Sequence, residues 1–366
     1  MTNPPYPDRP DGADAPGRPN RRVRFLVPAA ILALIAGHTL LWRFAATQLE
    51  SGFADWVAAR SAQGWSVTAG QPVRGGWPLA AELSVPDLSA TGGKADLPHG
   101  LTWKAERVVL HVALLRPRTL TIEAQGQQQL RLSDLPAIPF TADRIRAEIP
   151  LEPGVPARGV EIDVDRLRAG LPSGGLTVTR LQIQGDSKPA APQGEAAVSF
   201  TMSAGDIDLP PPETGGSWAL GGRIASVVVD GALMGPLPKA RTPFARAAGW
   251  RDGGGTLDLR RVALGWGPLG LTGSATLALD DHMQPMGAAT ARIVGQSETL
   301  DALAAARTIN PRTAGAAKAV LGLLARSPEG GGAPEVEVPL TLQNRGLSLG
   351  RIPLARMPEL YWQDAP

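Results

Sequence analysis

The chain has 366 residues, 43% hydrophobic and 19% charged, with a formal net charge of +2. That balance belongs to a folded protein with room for one large or two ordinary cores, and it excludes a wholly disordered chain. With 36 basic residues against 34 acidic ones there is no field for nucleic acid, and the lack of cysteine excludes disulfides, thiolate metal sites and cysteine nucleophiles.

In chain order, residues 1–20 are rich in Pro, Gly and Asp, have almost nothing to bury, and read as a disordered cytoplasmic tail. The first element is a membrane span. Phe25 to Trp42 gives eighteen residues without a formal charge between Arg24 and Arg43. At 1.5 Å per residue these make about 27 Å of helix, against a bilayer core of about 30 Å. Pro28 falls in the first turn, where a missing N–H costs little, and His38 near the far end reaches the interface. Arg18, Arg21, Arg22 and Arg24 precede the span, which by the positive-inside rule keeps the amino terminus cytoplasmic. Bulky residues in HTLLWRFAA stand where a cleavage site needs small ones. Residues 21–44 are therefore expected to be an uncleaved single-pass anchor in the inner (plasma) membrane, and 45–366 one β-rich periplasmic domain.

Leu49, Phe53, Trp56 and Val57 follow at i, i+4, i+7 and i+8, with Glu50, Asp55 and Arg60 off the stripe. That spacing predicts a juxtamembrane amphipathic helix, ended by Gly64. From there the dominant period is two. Leu120, Ile122 and Ala124 alternate with Thr121, Glu123 and Gln125; Val160, Ile162 and Val164 alternate with Glu161, Asp163 and Asp165. The longest run sets Leu269, Leu271, Gly273, Ala275, Leu277 and Leu279 against Thr272, Ser274, Thr276 and Asp280. Turns rich in Gly, Pro and Asp separate these runs, as in antiparallel strands joined by short loops. Two runs change phase, one across Arg107 and one across Arg260 and Arg261. A one-residue slip predicts a β-bulge, and bulges bend a sheet. GRIASVVVDGAL at 222–233 is apolar on both faces and is expected at the middle of the fold under a second layer.

Near the end, Ser297 with Glu298 and Asn310 with Pro311 mark two helix starts over 297–326, a helical hairpin. SPEGGGAP links it to a strand hairpin carrying Val336, Val338, Leu340, Leu347 and Leu349. The expected fold is thus mainly β: a curved, bulged antiparallel sheet with an N-terminal transmembrane helix, a juxtamembrane helix and a C-terminal helical hairpin.

Chemistry-bearing motifs are weak. Asp280, Asp281 and His282 form the densest polar cluster, but they follow a strand, where such runs form turns. His99 and His111 lack a thiolate partner, and Asp206 and Asp208 lack the further ligands of a calcium loop. The glycines of SATGGKAD do not make a phosphate loop. No catalytic residue, cofactor or metal is assigned, and the protein is not expected to be an enzyme. Trp77 in RGGWPLAAEL and Trp266 in LGWGPLGLTG are expected to plug corners of the sheet, with ligand stacking as the alternative. Val228 and Leu277 are taken as walls of an apolar trough.

VRGGWPLAAELSVPDLSA, LDLRRVALGWGPLGLTGSATLALDDHMQPMGAATARIVG and VPLTLQNRGLSLGRIPLARMPEL, in that order behind an anchor, resemble the bacterial domain-of-unknown-function family 2125 over residues 22–360. That resemblance implies no assigned activity and carries over no catalytic residue. A looser likeness to AsmA-like envelope proteins implies a trough-shaped sheet with an apolar inner face, used in lipid or envelope homeostasis. Two readings stay open: a protein that binds or guides lipid or another hydrophobe, with the bilayer as its partner, or a membrane-tethered scaffold whose apolar face is simply its core.

Overall fold

The charge-free run and the amphipathic stripe form one uninterrupted helix, α1 (Arg21–Ala62), in the computed structural model. It describes residues 21–92, 100–132, 135–152, 158–188, 190–213, 215–240, 242–326, 333–350 and 352–362. The tail 1–20, His99 with residues 93–96 of SATGGKAD, and residues 327–332 of the SPEGGGAP linker lie outside them. The single helix corrects the expectation of two. Residues 43–48 carry neither Gly nor Pro, so nothing ends the helix between the charge-free run and the stripe. It stops before Gly64, which takes φ +82°. α1 is long and apolar enough to cross a membrane.

Strands β1 (Ser66–Thr68) and β2 (Val73–Gly75) lie end to end on one edge of β3 (Ala80–Gly92). β4 (Leu101–Ala113) and β5 (Thr119–Leu132) follow. β6 (Ile138–Thr141) and β7 (Arg144–Pro150) share one place between β5 and β8 (Gly159–Leu171). The sheet continues through β9 (Gly174–Ser187), β10 (Ala196–Asp208) and β11 (Arg223–Met234). Helix α2 (Pro243–Asp252) precedes β12 (Thr256–Trp266), β13 (Leu269–Leu279) and β14 (Pro285–Val294). Helices α3 (Gln296–Ala305) and α4 (Pro311–Leu324) then lead to β15 (Glu335–Gln343), β16 (Gly346–Leu349) and β17 (Ile352–Arg356). Among the described residues all strand pairings are antiparallel within one seventeen-stranded sheet, which runs as a meander.

Directly opposed residues in an antiparallel pair share a face, so one row of partners can be followed across the whole sheet. Leu83, Leu110, Ile122, Ala147, Ile162, Ile183, Met202, Val229, Val262, Gly273, Ala291 and Val338 are successive partners from β3 to β15. The parallel row on the other face reads Ser84, Val109, Glu123, Arg146, Asp163, Gln182, Ser203, Val228, Ala263, Thr272, Arg292 and Glu337. The first row is therefore apolar without interruption. The other carries polar pairs such as Gln182 Nε2 donating to Asp163 Oδ1 at 2.8 Å and Arg292 to Glu337 at 3.1 Å.

Both expected phase slips are bulges: the register shifts between Ala105 and Arg107 against β5, and between Leu259 and Val262 against β13. Three more kinks interrupt the strands. Asp87, Arg166 and Asp206 take φ of 49°, 48° and 49° within β3, β8 and β10, and at each the apolar positions step by three residues instead of two. The β8 kink is braced from the gap between β6 and β7, where Asp143 pairs with Arg166 and Arg168. Hydrogen bonds from Arg168 and then Arg166 hold the Asp143 carboxyl below the usual carboxylate range.

Buried clusters lie at the two ends. Leu83, Val85, Leu88, Ala105 and Val108 sit beneath Leu49 and Phe53 of α1; Ala291, Val336 and Val338 sit beneath Leu321 of α4 and Ala325 just beyond it. Between these, Ile162, Ile183, Met202, Val229 and Val262 are half-buried. α4 starts as expected, with Asn310 accepting from Arg312 N and Pro311 in the first turn. α3 is capped by Gly295 at φ +73° instead of Ser297; a side chain at Gly295 would meet the Pro268 carbonyl oxygen at 1.9 Å. The final hairpin gains a third strand, β17, paired to β16.

Candidate functional site

The second half of α1 is laid along β3 by contacts at both ends. Trp42 Nε1 donates to Ala80 O at 2.8 Å and Gly75 O at 3.3 Å, and Arg74 Nε donates to Glu50 Oε2 at 2.9 Å. Past the helix, Trp65 lies on Gly92, where a Cβ would come within 2.8 Å of the indole ring. The helix covers β3 but stands off from β5 and β7, and that gap is a cavity of about 480 Å³. Leu49, Gly52, Phe53 and Trp56 form its helix wall, and Trp103, Val108, Leu110, Leu120, Ile122, Ile149 and Leu151 its sheet wall. Gly52 leaves room on the helix side: no atom lies within 4 Å of where its Cβ would stand. The rings of Phe53 and Trp56 stack with centroids 6.0 Å apart.

The volume is that of a small-molecule site. Among the described residues that line it, Gln48 is the one polar side chain and none carries a titratable group, so these walls are almost wholly apolar.

None of the four residues singled out in the sequence lines this groove. Leu277 is on the apolar face, opposite Leu257 and Gly287. Val228 is on the other face, between Ser203 and Ala263, which corrects its assignment to the trough wall. A Val–Val–Val run leaves the choice of face to the register with neighbouring strands. Trp77 is 53% exposed and plugs nothing. Trp266 is half-buried, donates Nε1 to Gly221 O at 2.7 Å and meets Trp218 edge-on at 5.9 Å. The groove residues Leu120, Ile122, Leu49, Phe53 and Trp56 all stood in sequence patterns, but the patterns carry no sign that helix and strands face each other across a gap.

The polar cluster after β13 is a turn. Asp280 Oδ1 accepts from His282 N at 2.9 Å and Gln284 N at 2.8 Å. Asp206 and Asp208 are likewise occupied, one as a kink and the other paired with Arg223 at 2.7 Å. That pairing raises the Arg223 pKa. His111 lies on the polar face opposite Glu82.

Fold and groove together define a mainly β protein, one bulged antiparallel meander preceded by a helix able to span a membrane, with an apolar groove between the two. The chain belongs to the bacterial family DUF2125, described as "Uncharacterized protein conserved in bacteria", whose model matches residues 42–358. No curated protein and no solved structure matches it.

Proposed function

We propose that this is an inner-membrane-anchored protein that binds the hydrocarbon part of a lipid, or a similar hydrophobe, in the groove between α1 and the sheet and along the apolar face beyond it. The observation that carries the reading is the apolar row itself, which continues from the groove across the sheet without a polar interruption. A half-buried apolar surface of this kind costs about 25 cal/mol per Å² in water until something covers it. The test is extraction of the purified full-length protein followed by mass spectrometry. Lipid near one equivalent or more, over that carried by an unrelated single-span protein in the same detergent, is expected; none beyond it would refute the reading.

The membrane topology is part of the proposal. The arginines before the span favour a cytoplasmic amino terminus and a periplasmic sheet. A reporter that works only outside the cytoplasm, fused after Pro366, is expected to be active, and an inactive fusion at normal abundance would reverse the orientation.

A second reading, a membrane-tethered interaction scaffold, is favoured by α4, whose Val320, Leu323 and Leu324 are exposed. Neither reading uses catalysis. Replacing Asp280, Asp281 and His282 together by Ser is expected to leave any deletion phenotype complemented at normal protein abundance; loss of complementation would point to an enzyme.

A further inference from the structure

We infer that the rim formed by the β2–β3 and β4–β5 turns is seated in the headgroup layer of the bilayer that α1 crosses. Hydrogen bonds set the height of this rim along α1. His38 Nε2 lies 2.6 Å from the Pro78 carbonyl oxygen, and Trp42 is bonded to Ala80 as above. Both helix residues belong to the last part of the charge-free run, so the β2–β3 turn meets α1 where a span of about 30 Å would leave hydrocarbon. Leu114 N donates to Leu79 O at 3.2 Å and fastens the β4–β5 turn to the same level.

What these turns hold outward is apolar. Trp77, Leu79 and Leu115 are 53%, 78% and 95% exposed, and Leu115 is the tip of its turn. Arg43, Arg116 and Arg118 are exposed beside them. Indole and leucine side chains bordered by guanidinium groups match the chemistry of the bilayer interface, where apolar groups enter the acyl boundary and cations meet phosphate. A protein partner would need to reach a surface already held at the membrane by α1, so the bilayer is the occupant that fits. The rim also adjoins the groove: Leu151, one of its lining residues, donates N–H to Arg118 O at 2.8 Å. The groove thereby ends at the lipid surface.

The inference rests on α1 being a span and is independent of whether the groove holds a ligand. The chain has no native cysteine, so single sites can be labelled in the full-length protein. An environment-sensitive fluorophore is placed on Leu34→Cys, Leu79→Cys, Leu115→Cys and Ser173→Cys, the last in the β8–β9 turn at the far end of the sheet. Each protein is reconstituted in phosphatidylethanolamine–phosphatidylglycerol vesicles, with spin labels either at shallow or at deep acyl positions. The expected result is deep quenching at 34, shallow quenching with blue-shifted emission at 79 and 115, and neither at 173. Labels at 79 and 115 that behave like 173, whether all dark to the quencher or all quenched, would overturn the rim while leaving the span intact. An unquenched label at 34 would overturn the span and the rim together. A negative lipid extraction would leave the expected quenching pattern unchanged, so the two proposals fail separately.

Discussion

Ile149→Asp is expected to strip the full-length protein of copurifying lipid, and Val228→Asp to leave it loaded. Ile149 lines the groove from β7, and a carboxylate there would have to lose water against Trp56, Leu120 and Leu151. Burying an unpaired carboxylate costs several kcal/mol, and about 1.4 kcal/mol is already tenfold in affinity, so bound lipid should fall by tenfold or more. Val228 makes the same chemical change outside the groove, half-buried on the polar face with Ser203 and Ala263 as its cross-strand neighbours. Leu277→Asp, on the apolar face far along the sheet, is expected to lower lipid content by less than Ile149→Asp. Circular dichroism must first show that each variant is folded. Lipid content unchanged at Ile149, as at Val228, would mean that the lipid is held by the belt around α1 and not by the groove.

The second large effect is on stability. Leu83→Ala is expected to cost about 2–5 kcal/mol, the range for truncating a buried leucine when the surroundings cannot close the cavity. Leu83 is fully buried in the cluster that joins Val85 and Val108 to Leu49 and Phe53 of α1, and it faces Leu110 across the strands. Since whole domains are stable by only about 5–15 kcal/mol, urea unfolding of the full chain in detergent should move to clearly lower denaturant. Leu115→Ala, which removes the same side chain from an exposed turn, should shift it by about 0.5 kcal/mol or less. A Leu83→Ala effect as small as that of Leu115→Ala would mean that α1 does not cover the sheet.

Much of this architecture is local in origin and stands in the sequence. A strand's side chains alternate because of the pleat, so the polar and apolar rows of β5, β8 and β13 are legible from single segments, and a slip of phase reports a bulge wherever it occurs. The helix long and apolar enough to cross a membrane is legible for the same reason: its length and lack of charge lie within one segment. The turn at Asp280 and the start of α4 at Asn310 depend on two to four neighbouring residues and are equally visible.

Tertiary structure decided whatever depends on what lies opposite. Val228 sits between Val227 and Val229, so no alternation marks its face; Ser203 and Ala263 settle it through register. The kinks at Asp87, Arg166 and Asp206 take left-handed backbone, which aspartate tolerates without demanding it and arginine does not favour, and a neighbouring strand has to select it. Trp77 and Trp266 stand in nearly the same words, Gly-Trp-Pro-Leu and Gly-Trp-Gly-Pro-Leu, yet one is exposed beside α1 and the other packed on Trp218. The groove is the extreme case. It is the distance between residues 49–56 and 103–151, set by Trp42 on Ala80 and Trp65 on Gly92, and a gap between two elements has no residue of its own in which to be written.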